Sequence, residues 1–137
     1  MKRGVLLGYQ LITGLSDTTT GLLLIVAPAT TLHLMSLHAP PDSLPFLSYV
    51  GVFVLSVGMA CLYGAWLLTT RPVLTQKLQT VWLLTAITRG LVAVFVVAHV
   101  FSGSLEPGWI TVALTDGAFA LLQTIGLARG WLSNVTP

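Results

Sequence analysis

The chain has 137 residues, of which 55% are hydrophobic and 7% are charged, and its mean hydropathy is +0.90. Six Lys or Arg and four Asp or Glu residues give a net charge of +2, which excludes a basic nucleic-acid-binding surface. The single cysteine excludes an internal disulfide or a thiol pair for redox work. This composition predicts an integral membrane protein with the length of one domain.

Four continuous apolar segments fill almost the whole chain. Each is longer than the roughly 20 residues that a helix needs to cross about 30 Å of hydrocarbon. Membrane β-strands are shorter and alternate between apolar and polar residues, which these segments do not. The sequence therefore predicts an all-α integral membrane protein in which residues 1–137 form one domain, with spans at about residues 4–27, 46–68, 78–101 and 108–130.

Proline and glycine mark where each span ends. Pro28 is expected to kink or end the first helix, leaving Ala29 to Leu37 as an interfacial turn or short helix. The other connections are short and rich in Pro and Gly, so sequential helices should be antiparallel neighbours in an up-down-up-down four-helix bundle. In the second span, Gly51, Gly58 and Ala65 recur every seven residues and should permit close backbone approach.

Basic residues outside the spans are confined to alternate connections. The two termini and the middle connection carry Lys or Arg. The charged residues of the other two connections are only acidic, Asp42 and Glu106. The positive-inside rule then places both termini and the middle loop in the cytoplasm of a bacterial inner membrane. The basic residues that determine this orientation are Lys2, Arg3, Arg71, Lys77 and Arg129.

Three ionisable residues lie near the middle of spans, where a charge costs between about 2.5 and 17 kcal/mol. At helical rise, Asp17 lies about 20 Å from the cytoplasmic boundary, Arg89 about 17 Å and Asp116 about 18 Å. Because the three depths agree, we expect the residues to meet in one cluster. Arg89 cannot practically lose its proton, so at least one carboxylate beside it must be ionised. The second carboxyl either shares the guanidinium or is protonated and hydrogen-bonds as an acid.

Small and polar residues share the helix faces of the three charges, which favours contacts between helices over contacts with lipid. The face of Asp17 carries Gln10, Thr13, Gly14, Thr20, Gly21, Leu24 and Pro28. The face of Arg89 carries Trp82, Thr85, Val92 and Val96. The face of Asp116 carries Trp109, Val112, Ala113, Phe119, Ala120, Gln123 and Leu127. The candidate ligand-binding or ionic residues are Asp17, Arg89, Asp116, Gln10, Gln123, Thr20 and Thr85.

Histidines are weaker candidates for cofactor ligands, and aromatic residues are candidates for anchors at the membrane interface. His33 and His99 lie toward the outer ends of their spans, as paired haem ligands would. Their helical angles do not converge, so both are expected to be interfacial, like His38, and no cofactor or metal is predicted. Five aromatic residues near the predicted boundaries are expected to anchor the membrane interface: Tyr9, Trp66, Trp82, Trp109 and Trp131.

Four short runs have a recognisable character: Gly21–Pro28, Gly51–Gly58, Thr88-Arg89-Gly90 and Thr115-Asp116-Gly117. Together they resemble the DoxX-like group of small bacterial four-helix membrane proteins. The resemblance covers nearly the whole chain. It implies a four-helix bundle, and some members of the group are described as membrane subunits of quinone-linked oxidoreductases.

Three functions remain open from the sequence. No phosphate-binding loop or nucleophile motif is present, so we expect a non-enzymatic accessory or assembly subunit organised around Asp17, Arg89 and Asp116. The expected partners are the lipid bilayer and a larger membrane complex or homo-oligomer, with no nucleic acid. The alternative is a binder or carrier of a quinone, a lipid or a proton-coupled solute at the same residues. A haem-binding electron-transfer subunit is a third interpretation.

Overall fold

The computed structural model describes residues 2–70 and 75–133, and within them the fold is all-α, without a strand. Single 3₁₀ turns at Pro41–Ser43 and Pro107–Trp109 precede the third and fifth helices. The α-helices are α1 (Arg3–Val26), α2 (Pro28–Leu34), α3 (Leu44–Thr69), α4 (Thr75–Phe101) and α5 (Ile110–Ala128).

The four long helices agree with the predicted spans to within about three residues at each end. Among the described residues, three helical segments are long and apolar enough to cross a membrane: Pro41–Thr69, Thr75–Phe101 and Pro107–Ala128. α1 is also long, at 24 residues, but Gln10, Asp17 and several threonines make it more polar than the others. The predicted Arg71-Pro72 connection lies outside the described residues.

α1 ends where the sequence predicts it to end. Ala27 has φ −142° and ψ 63°, which breaks the helical path, and Pro28 begins the short helix α2. Proline is well suited to a first helical position because its missing N–H would have no intrahelical partner there. The Thr31 hydroxyl donates a hydrogen bond of 2.9 Å to the Ala27 carbonyl across this junction. The predicted short helix after Pro28 is therefore confirmed.

α1 and α3 pack backbone against backbone. A Cβ added to Gly21 would lie 2.5 Å from the Leu55 amide nitrogen, and one added to Gly58 would lie 2.5 Å from that of Thr18. Gly51 has similarly little space, facing the Gly21 carbonyl oxygen and the Leu24 side chain. The close approach predicted at Gly51 and Gly58 is confirmed, and it needs small residues on both helices.

α4 and α5 form a second helix pair with looser contacts. Cβ atoms added to Gly117 and Gly90 would meet only the methyl groups of Ala93 and Ala120, at 3.6 and 3.9 Å. The Cα atoms of α1 stay more than 8 Å from those of α4 and α5, whereas α3 makes some direct contact with α4. Long side chains must therefore bridge α1 to the second pair.

An apolar core joins the helices at one end of the molecule. It combines the start of α1, the end of α3, the start of α4 and the segment after α5. Lys2, Lys77 and Arg129 flank this end in the sequence. At the opposite end, the His38 amide donates a hydrogen bond of 3.1 Å to Glu106. The core side chains are Leu6, Leu67, Leu68, Leu78, Trp82 and Leu132.

Large apolar side chains cover the outer surfaces of the long helices. Ile12, Phe53, Val94 and Leu114 are among many that are exposed on the isolated chain. A soluble domain of this size seldom exposes so much contiguous apolar surface, whereas helices facing lipid do. The surface therefore matches the hydropathy of the sequence.

Candidate functional site

The three predicted intramembrane charges meet in one ion-pair cluster, formed by Asp17, Arg89 and Asp116. Nη1 of Arg89 donates a hydrogen bond of 2.6 Å to Oδ1 of Asp116, and Nη2 donates to Oδ2 of Asp17. The guanidinium from α4 thus binds a carboxylate of α5 with one nitrogen and a carboxylate of α1 with the other. The predicted buried salt bridge is confirmed.

Burial differs within the ion-pair cluster. The Arg89 residue is 4% exposed, whereas each aspartate side chain is 19% exposed. Cζ of Arg89 lies 5.0 Å from the centre of the Phe119 ring, within the range of a cation–π contact. Removing one partner of a buried ion pair costs about 3–5 kcal/mol, because the other charge is left without compensation. The cluster is therefore a strong constraint on helix arrangement.

Polar side chains next to the cluster link α4 to α5. Nε2 of Gln123 donates a hydrogen bond of 2.8 Å to the Thr85 hydroxyl, which in turn donates one of 2.8 Å to the Val81 carbonyl. Gln123 and Thr85 are both buried. These two candidate residues therefore lie together, one turn or more from Arg89 and Asp116 along their helices.

The other two candidate residues lie on α1. Gln10 is fully buried, and its amide lies against Gly64 of α3, where an added Cβ would collide with Nε2. Thr20 is half-buried and forms no hydrogen bond with the ion-pair cluster in the described part of the chain. The structure thus places Gln10 in the interior and leaves Thr20 outside the hydrogen-bonded set.

Tyr9 and Trp82 are a correction to the sequence analysis, which expects them to anchor the membrane interface. Trp82 is 0% exposed and belongs to the apolar core. The Tyr9 ring is half-buried and lies 5.4 Å from the Trp82 ring and 5.9 Å from the Phe119 ring. Trp82 precedes Arg89 by seven residues, or about two helical turns, so both side chains face the interior. By contrast, Trp66 is 55% exposed, as an interfacial residue can be.

The prediction that Val92 shares the inward face of Arg89 is wrong. Val92 is exposed, whereas Val96 and Thr85 on the same predicted face are buried. The buried strip along α4 instead passes through Ala93, which contacts α5 near Gly117. The angular prediction treats α4 alone, but the direction of α5 decides which neighbouring position is covered.

Several buried polar atoms in the interior have no hydrogen-bond partner among the residues that the structure describes. Both amide atoms of Gln10 are in this state, although the side chain is fully buried. Unpaired polar atoms are costly in a membrane, because lipid cannot satisfy them. The remaining atoms are the Tyr9 hydroxyl, Thr18 Oγ1, Trp82 Nε1, Arg89 Nε and Gln123 Oε1.

The two histidines considered as haem ligands, His33 and His99, lie in different surroundings. His33 is exposed on α2. His99 lies near the end of α4, where its Nδ1 is 2.7 Å from the Ser104 hydroxyl and its ring lies 4.1 Å from that of Phe95. No group of three His, Cys, Asp or Glu residues with metal-binding geometry occurs within residues 2–70 and 75–133. His38 is exposed beside Glu106 in the outer connections.

No protein-family model, curated protein or solved structure matches this chain. The resemblance to the DoxX-like group therefore stays a prediction.

Proposed function

We propose that the chain is a four-span protein of the bacterial inner membrane, folded as a four-helix bundle. In this arrangement α1 is the fourth span, although it is more polar than the others. Its two most costly side chains are compensated, because Asp17 pairs with Arg89 and Gln10 is inside the protein. Lipid then meets only the apolar remainder of α1.

The orientation we propose places both termini in the cytoplasm. The end of the molecule with the apolar core carries Lys2, Arg3 and Lys77 nearby, whereas the opposite end carries Asp42 and Glu106. This separation follows the positive-inside rule. A reporter that works only in the cytoplasm is expected to be active when it is fused to either terminus. Activity of a reporter that works only in the periplasm, fused to either terminus, would contradict the orientation.

We further propose a non-catalytic accessory or assembly role in a membrane complex. The observation that carries it is the use of both carboxylates to bind one guanidinium, which joins α1 to α4 although the backbones of these two helices do not touch. The ion pairs therefore fix how α1 lies against α4 and α5. The extensive exposed apolar surface leaves helix faces for partner helices, in addition to lipid.

Affinity purification in mild detergent tests the accessory role. The wild-type chain is expected to be recovered with the same partner chains in each preparation, and Asp116→Asn is expected to lose them because the helix arrangement changes. Asp42→Asn, at an exposed acidic residue in the outer connection, is the matched control and should keep them. Recovery of the wild-type chain always alone would contradict the proposal.

A further inference from the structure

We infer that the α1–α5 interface, defined here by Tyr9 and Asp17 of α1 with Asp116 and Phe119 of α5, binds a neutral lipophilic ligand. The head of this ligand carries hydrogen-bond-accepting oxygens, such as carbonyls, and its apolar tail stays in the membrane. The inference depends on the four-span arrangement proposed above. It goes beyond that proposal by naming a site and a class of ligand.

Three hydrogen-bond donors at this interface lack partners among the residues that the structure describes: the Tyr9 hydroxyl, Trp82 Nε1 and Arg89 Nε. Trp82 is fully buried, and its ring lies 5.4 Å from that of Tyr9. Cζ of Arg89 lies 5.0 Å from the centre of the Phe119 ring. A buried donor without a partner is unfavourable, and a ligand that pairs several such donors recovers this free energy on binding.

These unpartnered atoms can all donate a hydrogen bond. Trp82 Nε1 and Arg89 Nε can only donate hydrogen bonds, and the Tyr9 hydroxyl can donate one. A head that accepts hydrogen bonds suits this set. A neutral head is favoured because Asp17 and Asp116 repel an anion, while the charge of Arg89 is already compensated. Carbonyl oxygens of a quinone or of a lipid ester have this chemistry.

The side chains of the α1–α5 interface are accessible from the membrane. The backbones of α1 and α5 do not touch, so side chains alone close the space between these helices. Tyr9 and Phe119 meet there at 5.9 Å between ring centres, and both are only half-buried. The two aspartate side chains keep 19% of their surface exposed. The Trp82 ring lies next to Tyr9, so a ligand head that displaces the contact between Tyr9 and Phe119 would reach Trp82.

Binding to the purified full-length chain tests the inference. The probes are a benzoquinone with a ten-carbon alkyl tail and a short-chain phosphatidylcholine, each titrated calorimetrically into the protein in a maltoside detergent. Saturable binding of the quinone alone identifies a quinone-type ligand, and binding of the phosphatidylcholine alone identifies a lipid ester. Either result supports the site. A correctly inserted, folded chain that binds neither probe would overturn the inference while leaving the proposed function intact.

Two conservative substitutions locate the binding site. Tyr9→Phe and Trp82→Phe each remove one unpartnered donor and keep an aromatic ring, so each should weaken binding by roughly 3- to 10-fold. Tyr63→Phe and Trp66→Phe are matched controls on exposed side chains of α3 and should bind as the wild type does. Equal weakening in the controls would contradict the assignment.

The same variants separate binding from folding. Tyr9→Phe removes a hydroxyl without a hydrogen-bond partner among the described residues, so it should unfold at the wild-type temperature or above it when no probe is present. Trp82→Phe also leaves a cavity in the apolar core, so its unfolding temperature should fall, and its affinity is compared at a temperature where it is fully folded. The added probe should then raise the unfolding temperature of the wild type more than that of either variant. A lower unfolding temperature without probe, with unchanged affinity, would mean that these groups are structural and would overturn the inference.

Discussion

The contact between α1 and α3 and the contact between α1 and the α4–α5 pair are built in opposite ways. Along α3, glycines let the two backbones approach until no added Cβ fits at Gly21 or Gly58. Toward α4 and α5, the backbones remain apart, and Arg89 spans the distance to Asp17. Small residues thus provide close packing on one side of α1, and long polar side chains provide directional contacts on the other.

The two kinds of contact lose stability in different ways. Packing between glycines in a membrane depends on many weak contacts that are lost together. An ion pair depends on a few strong contacts, each of which requires its partner. Substitutions should therefore affect the two sides of α1 in distinguishable ways.

The largest effect is expected from Arg89→Met, which leaves two carboxylates in the interior without their common donor. The loss in the free energy of unfolding should be about 3–5 kcal/mol, measured by denaturation with sodium dodecyl sulfate in mixed micelles. A loss below about 1 kcal/mol, the range of a surface ion pair, would show that the cluster is solvated. Lys77→Met, at an exposed cation of the same helix, is the control and should change little.

Replacing the whole ion-pair cluster should reverse much of that loss. In Asp17→Leu/Arg89→Met/Asp116→Leu no unpaired charge remains, and buried ion pairs can often be replaced by apolar residues at little cost. We expect the triple variant to be more stable than Arg89→Met alone in the same titration. If it is less stable instead, the side chains contribute through contacts other than charge.

An intermediate effect is expected on the α1–α3 side. Gly58→Ala places a methyl group against the Thr18 backbone and should cost about 1–3 kcal/mol through overpacking. Gly90→Ala on α4 is the matched control, since its Cβ would meet only Ala120 at 3.9 Å. Similar losses in the two variants would contradict the difference in packing between the helix pairs.

The smallest effect is expected in the outer connections. His38 and Glu106 lie 3.6 Å apart, but their side chains are 86% and 47% exposed. Exposed ion pairs contribute about 0–1 kcal/mol, so His38→Ala should leave the unfolding midpoint almost unchanged. A shift as large as that of Gly58→Ala would show that this connection stabilises the fold.

Much of the fold follows from the sequence, for identifiable reasons. The helix bounds follow from the length of the apolar runs, and the end of α1 follows from Pro28. The meeting of Asp17, Arg89 and Asp116 follows from their similar depth, because charges in lipid must find one another. The spacing of Gly51 and Gly58 predicts a close approach of α3 to another helix, but it does not identify that helix as α1.

Other features depend on tertiary contacts that the sequence does not encode locally. Trp82 lies near a predicted boundary, but its burial depends on Tyr9 of α1 and on Gly126 of α5, which lies against the Trp82 ring. The exposure of Val92 in place of Ala93 depends on the direction of α5. The unpartnered atoms of Gln10 also cannot be predicted, because any inward-facing glutamine has the same helical angle whether or not a partner reaches it.

A double-mutant cycle between Asp17 and Arg89 tests most directly whether side-chain charge joins α1 to the α4–α5 pair. The free energy of unfolding would be measured for the wild type, Asp17→Asn, Arg89→Met and the double variant in the same micelles. We predict that the double variant loses less stability than the two single losses added together, by about 0.5–3 kcal/mol. Losses that add to within about 0.3 kcal/mol, as for residues that do not interact, would contradict the account.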